Sequence, residues 1–222
     1  MRSTYKLLSL FLTLIITPAF LVHAGDKARK KAAPAVTQYM ADASHTQIRF
    51  KVRHLGIASV LGRFNQLKAD VRVDPTDLRT FQANATIQVR SIDTGNQKRD
   101  NHLRSPDFFH ADKYPTITFV SRKVKNIRGN TFDVEGDLTI KGVTRPITLH
   151  TEFVGEGKDP MGNRRIAFEA HGVINREDFG ITWNKTLETG GLLVGKEVKL
   201  DITFEGIHAE DMKKMMSMKS KM

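Results

Sequence analysis

Gln47-Ile48-Arg49-Phe50-Lys51-Val52-Arg53 decides the fold class. Every second residue is apolar, and the residues between are polar or cationic. A period of two marks a strand that buries one face, whereas a helix would need apolar residues three and four apart. The same pattern recurs outward from this stretch. Lys68-Ala69-Asp70-Val71-Arg72-Val73 repeats it and stops at Asp74-Pro75. Ala83, Ala85, Ile87 and Val89 alternate with Asn84, Thr86, Gln88 and Arg90. Further alternating runs cover Thr116–Val124, Phe132–Ile140, Ile147–Val154, Arg165–Ile174 and Glu197–Ile207. Arg128-Gly129-Asn130, Lys141-Gly142 and Asp159-Pro160-Met161-Gly162-Asn163 supply turns between them. The result is an all-β chain of about eight strands, each with one apolar face. Short hairpins between long strands favour an up-and-down barrel or a sandwich over an α/β fold.

The ends read differently. Arg2 and Lys6 precede an apolar stretch from Leu7 to Thr17, and Val22-His23-Ala24 has the small-x-small form of a signal-peptidase site. The stretch is shorter than the ~20 apolar residues of a spanning helix. Residues 1–24 are therefore expected to be a cleaved signal peptide, and residues 25–37 a flexible basic leader. The barrel domain then occupies 38–208, and a Lys/Met-rich tail 209–222, in which Met212, Met215 and Met216 share one helical face. The tail reads either as a short amphipathic helix touching a membrane or partner or as a frayed end, the latter favoured because short isolated helices are marginal. The chain has no cysteine. An exported domain held by its core alone points to the bacterial periplasm. The formal charge is +11, of which Arg2 and Lys6 contribute two. Such a balance either favours anionic surfaces, among them lipid head groups, polyanions or an acidic partner such as a membrane redox protein, or serves solubility alone. The basic residues alternate along strands and match no nucleic-acid-binding motif, so nucleic acid is not an expected partner.

Three segments break the period, and binding residues concentrate in such connections. His54 to Gly62 carries Leu55, Ala58 and Leu61 at helical spacing between glycines, and is expected to form a short helix that either lids one barrel end or fills core space. Ser91 to Pro115 is a long charged connection holding His102 and His110, with Ser105-Pro106-Asp107 as a helix start and Phe108, Phe109 and Tyr114 as an apolar anchor. Its charged residues either fasten the loop or face a ligand. Asn175 to Gly195 contains the single tryptophan, Trp183, on one alternate row with Phe179 and Ile181. Trp183 either closes a pocket mouth or packs as an ordinary core aromatic.

Catalytic constellations are weak. The chain has no Gly-x-Ser-x-Gly, no cysteine nucleophile, no His-Glu-x-x-His and no glycine-rich phosphate loop. The expectation is a protein without catalytic residues, metal ligands or a required cofactor. What remains is an apolar interior with polar mouths, which suits a long hydrocarbon, since each buried methylene is worth ~0.8 kcal/mol. The small residues Ala69, Ala83, Ala85 and Ala170 leave room for one. A polar head would need partners at the rim, for which His54, Arg90, Arg99, Asp100 and His102 are candidates.

Several motifs, in order, resemble the YceI-like family of periplasmic polyisoprenoid-binding proteins. They are Phe50-Lys51-Val52-Arg53-His54-Leu55-Gly56 with Gly62-Arg63-Phe64; Ser91-Ile92-Asp93-Thr94-Gly95 followed by Arg99-Asp100-Asn101-His102-Leu103-Arg104-Ser105; Tyr114-Pro115-Thr116-Ile117-Thr118-Phe119; Gly136-Asp137-Leu138-Thr139-Ile140-Lys141-Gly142; and Ile174-Asn175-Arg176-Glu177-Asp178-Phe179-Gly180. The resemblance spans roughly Tyr39 to Ile207. It implies an extended, eight-stranded, lipocalin-like antiparallel barrel with short helical segments in its connections, often dimeric, enclosing an isoprenoid, an isoprenoid quinone or a similar amphiphile. The residues expected to face that ligand are Phe50, Val52, His54, Leu55, Phe64, Val71, Ile87, Val89, Phe119, Leu138 and Phe168 along the interior. Arg99, Asp100, His102, Phe179 and Trp183 are expected near the mouth. Alternatives are an enzyme on a lipidic substrate using His102 with Asp100, and a module that docks on a membrane or redox protein.

Overall fold

The computed structural model describes residues 35–186 and 191–219. The expected signal peptide and nearly all of the expected leader lie outside the described residues. The strands are β1 (Thr37–Ala41), β2 (Gln47–His54), β3 (Ala58–Phe64), β4 (Leu67–Asp74), β5 (Asp77–Gln88), β6 (Ile92–Asp93), β7 (Thr116–Arg128), β8 (Thr131–Ile140), β9 (Val143–Lys158), β10 (Arg164–Asn175) and β11 (Val194–His208). Two helices join them, α1 (Gln97–Arg104) and α2 (Ala209–Lys219).

The pairing reduces these strands to eight staves. β1 pairs with β4 and with the end of β11, while β2 pairs with β3 and with the start of β11. So β1 and β2 are two segments of one bent stave, and β3 and β4 are two segments of the next. β5 runs through a 3-10 turn at Val89–Ser91 into β6, which pairs with β3. Around the barrel the order is β1/β2, β3/β4, β5/β6, β7, β8, β9, β10 and β11, all antiparallel, closing from β11 back to β1/β2. The chain is thus an up-and-down barrel whose staves close on themselves. The longest stave, β9, has 16 residues; at ~3.3 Å per residue it is ~50 Å long, hence the barrel's extended form.

Local chemistry explains the corners. Lys141 and Gly142 both adopt left-handed backbone, φ 52° and 75°, between the paired residues Ile140 and Val143. That is the two-residue hairpin turn whose twist matches its strands. Gly62 faces inward opposite Phe50, whose ring lies across the glycine backbone, and a methyl at 62 would collide with that ring.

Three sequence expectations change. Residues 54–62 are not a helix: Leu55 (φ 55°) and Gly56 (φ 72°) turn the chain, and Ala58–Phe64 returns as β3 on β2. The pairing groups of β2 would otherwise lie unsatisfied along the barrel wall, and satisfying them outweighs the helical spacing of Leu55, Ala58 and Leu61. The helix in the long connection ends, rather than starts, at Ser105. The Asn96 side chain caps α1 by accepting from the Arg99 amide at 3.0 Å, and Ser105 sits in extended backbone as a residue before proline must. The tail is helical from Ala209, not frayed. Glu210 and Asp211 favour its first turn. Asp211 also fastens it to the barrel, accepting from Arg164 Nε at 2.9 Å and from the Arg164 amide at 3.0 Å.

Inside, the two halves of the barrel differ. At the α2 end Phe81, Phe132, Phe168 and Phe204 are all buried. Phe168 is the hub, with ring centroids 5.0 Å from Phe81, 5.4 Å from Phe153 and 6.4 Å from Phe204. At the other end the inward residues of β2 (Ile48, Phe50, Val52) and of β11 (Val198, Leu200, Ile202) are only half-buried.

Candidate functional site

The half-buried rows surround an apolar cavity of about 370 Å³ inside the barrel. Its wall is built by β2, β4, β5 and the inward rows of β7 to β11. Ala69, Ala83, Ala85 and Ala170 all line it, and the first three keep partial exposure although they point inward. Ala69 is paired with Ala85 across the β4–β5 ladder, so the two short side chains sit side by side and leave space. Such a cavity lies within the ~300–1,000 Å³ typical of ligand pockets.

The mouth is built by three connections. The first is the β2–β3 hairpin, whose His54 lines the cavity. The second is the segment from α1 through Phe109. The imidazole of His102 stands edge-on to the Trp183 ring at 4.7 Å and to the Phe108 ring at 5.0 Å, and its Nε2 lies 2.8 Å from Asp107 Oδ2. The third is the segment after β10. There Arg176 is only 5% exposed, and its guanidinium donates to four backbone carbonyls: Gly195 at 2.9 Å, Ile181 at 2.6 Å, Trp183 at 3.0 Å and Val194 at 3.3 Å. Burial pushes the Arg176 pKa down, and the nearby Glu177 charge only partly offsets this. Its work is to gather this segment against β11 and hold Trp183 over the opening. No buried side-chain nitrogen or oxygen among the described residues lacks a hydrogen-bond partner. The deep cavity therefore makes no demand for a polar ligand group.

Of the residues expected to face a ligand, the cavity wall holds Phe50, Val52, His54, Phe64, Val71, Ile87, Phe119, Leu138 and Phe168, together with Arg99, His102 and Trp183 at the mouth. Four lie elsewhere. Leu55 points outward in the hairpin turn and is exposed. Val89 is buried in the 3-10 turn between β5 and β6. Phe179 is buried behind the mouth, on the outer side of the wall. Asp100 is buried and spent on its own loop, accepting from the Thr94 amide at 3.0 Å and the Thr94 hydroxyl at 2.6 Å. His102 thus pairs with Asp107, not with Asp100, and an enzymatic dyad of His102 with Asp100 does not form. Arg99 is also tied to this loop, donating to Thr94 Oγ1 at 2.7 Å and to the Thr94 carbonyl at 2.8 Å. Arg90 pairs with Asp112 on the exterior.

Sequence reasoning passed over Ile48, Leu103, Val198, Leu200 and Ile202, which also line the cavity. Ile48 lies on the same alternate row as Phe50 and was within reach of the pattern. Arg176 was not, because an arginine in a connection reads as solvated until the chain is folded over it.

A closed up-and-down barrel with an apolar interior, small residues on its wall and a polar, aromatic rim belongs to the class of small barrels with room for one ligand inside. The family model described as the YceI-like domain matches residues 39–206, and the chain belongs to the YceI-like family. A UPF0312 protein of Staphylococcus aureus is 42% identical over 171 residues, covering 77% of this chain and 97% of that protein. Among solved structures, Burkholderia cenocepacia BcnA is 25% identical with a TM-score of 0.66, covering 74% of this chain and 98% of BcnA. A polyisoprenoid binding domain from Saccharophagus degradans, implicated in plant cell wall breakdown, superposes with a TM-score of 0.54 at 14% identity, over 78% of this chain and 99% of that domain.

Proposed function

We propose that the protein is a non-catalytic carrier of a long-chain isoprenoid lipid, an isoprenoid or isoprenoid quinone, acting in the periplasm after export. The carrying observation is the cavity: lined mostly by apolar side chains, kept open by alanines where larger residues would fill it, with His54, Arg99, His102 and Trp183 gathered at its mouth. A prenyl chain enters tail first and gains ~0.8 kcal/mol per methylene buried, with no directional contact required inside. The head group remains at the rim beside His54, Arg99 and His102. The name of the Saccharophagus degradans domain supports the ligand class through a shared fold. The reading of residues 1–24 as a signal peptide supports the compartment.

Organic extraction of the purified protein followed by mass spectrometry tests this reading. The expected result is a prenyl lipid in stoichiometric amount, or uptake of a prenyl quinone from detergent micelles by stripped protein. Neither lipid in the extract nor uptake from micelles would overturn it.

A further inference from the structure

The hairpin between β2 and β3 carries an apolar group that neither the core nor the cavity uses. Ile57 is 82% exposed, the highest exposure among the described large hydrophobic residues, and it stands at the lip of the cavity. Leu55 beside it is 39% exposed. The backbone presents both outward through left-handed conformations at Leu55 and Gly56, the first of which is unfavourable for a leucine. The hairpin is anchored rigidly behind this tip. His54 pairs with Ala58 and with Val194, and the Leu55 amide donates to the Leu193 carbonyl at 2.9 Å.

The flanking charge is positive. Arg53 lies one residue before the mouth-lining His54. Lys185 lies in the segment between β10 and β11, its carbonyl accepting from the Leu193 amide at 3.0 Å. Both are exposed, and neither forms an ion pair among the described residues. Two acids of the same rim, Glu177 and Asp107, are already held by Lys196 at 2.9 Å and His102 at 2.8 Å. Glu197, opposite Asn175 in the ladder, and Asp178 are the exposed acids nearby among the described residues. An apolar tip with cations behind it matches the layers of an anionic bilayer, where acyl boundary lies beneath charged head groups.

We propose that the Leu55–Ile57 tip inserts into the interface of an anionic membrane and seats the cavity mouth against it. This rests on the carrier reading, and it supplies that reading's missing step: a prenyl chain would pass between bilayer and barrel without crossing water. Of the other strongly exposed apolar side chains, Met161 in the β9–β10 turn and Met216 and Met218 on α2 lie at the opposite end of the barrel, and Leu61 faces outward on β3 behind the tip. The test therefore compares the two ends.

The test is flotation of stripped protein with vesicles of phosphatidylcholine alone or doped with phosphatidylglycerol, with the emission of Trp183, the single tryptophan, as a second readout. The expected result is binding to the doped vesicles, weakened by salt, with a blue shift of Trp183. Ile57→Asp should reduce that binding by about tenfold or more and leave prenyl-quinone uptake from micelles unchanged. Met216→Glu with Met218→Glu should leave vesicle binding intact. Three results overturn the proposal: no binding by the unmodified chain, binding undiminished in Ile57→Asp, or loss only in the α2 variant. If Ile57→Asp instead splits a dimer in sedimentation without affecting flotation, the tip serves a second copy and the proposal also fails. Vesicle binding without uptake from micelles would keep the docking and sink the carrier, so the two fail separately.

Discussion

The two halves of this barrel are made from the same alternation yet are finished in opposite ways. At the α2 end, inward positions hold Phe81, Phe132, Phe168 and Phe204, whose buried rings pack on one another and close the floor of the cavity. At the mouth end the same rows carry alanine on β4 and β5 and half-buried aliphatics on β2 and β11. Period alone cannot make that difference, because it sets which face is apolar and not how large the residues are. Side-chain volume decides whether a barrel of this width is a core or a container. The division also assigns the energetics. The packed half supplies stability, and the hollow half forgoes some of it to hold a ligand.

Substitutions on the two halves should therefore behave differently. Phe168→Ala removes the hub of the ring cluster and should cost ~3–5 kcal/mol, read as a lower midpoint in urea denaturation. Val52→Ala, in the half-buried row of β2, should cost less than half as much, because it removes two partly exposed methyl groups where Phe168 loses a fully packed ring. Equal costs would break the division. The converse change sharpens it. Ala85→Phe puts a ring into the cavity beside Ala69, with its cross-strand neighbour Phe119 behind it. Prenyl-quinone uptake should fall by at least about tenfold while stability holds or rises by ~0.5–2 kcal/mol, as for cavity filling elsewhere. A variant that loses stability would mean that the wall is packed and the cavity does not belong to the native interior.

How much of this was legible beforehand follows the same line. β2, β4, β5 and the strands from β7 onward were readable because their alternation is local, whereas β1, β3 and β6 and the bends at 42–46 and 65–66, which let two strands act as one stave, were not. They depend on long-range partners such as the Glu205 carbonyl, which accepts from Thr46 Oγ1 at 3.0 Å. The container was partly legible in Ala69, Ala83 and Ala85. The mouth was the least legible part. Residues 54–62 read as helical because Leu55, Ala58 and Leu61 happen to fall at helical spacing, whereas the actual organiser, Arg176, acts through carbonyls that become neighbours only after folding. Asp100 was misplaced for a related reason: sequence shows a charge in a loop, and folding shows that Thr94 uses it.

The smallest expected difference between the halves is in their response to acid. The α2 end is tied by Arg165, which donates to Asp42 at 2.7 Å, to Asp159 at 3.0 Å and to Glu205 at 2.5 Å. Together with His45, two of these acids form a tight cluster, but the guanidinium already occupies its centre. Burial works to raise the Asp42 carboxyl, yet hydrogen bonds from Arg165, the Ser44 amide and His45 prevail and hold it at about 2. The Asn163 side chain does most to hold Asp159 at about 2, against burial, with help from the Asn163 and Met161 amides and Arg165. Arg164 lowers Asp211 in the same way. Each pKa is lower in the folded chain than the ordinary 3.8. The unfolded chain therefore binds protons first as pH drops, so the stabilisation is complete above about pH 4 and drains away between about pH 4 and pH 2. The urea midpoint should fall across that window. In Asp159→Asn one titrating group is gone while the amide can still accept a hydrogen bond, so the fall should be shallower. Hydrogen exchange should show the loss beginning at the 159–163 turn and the start of α2, ahead of the strands around the mouth. Exchange that begins instead around Trp183 would show that the aromatic end yields last and that its ion pairs contribute little to its resistance to acid.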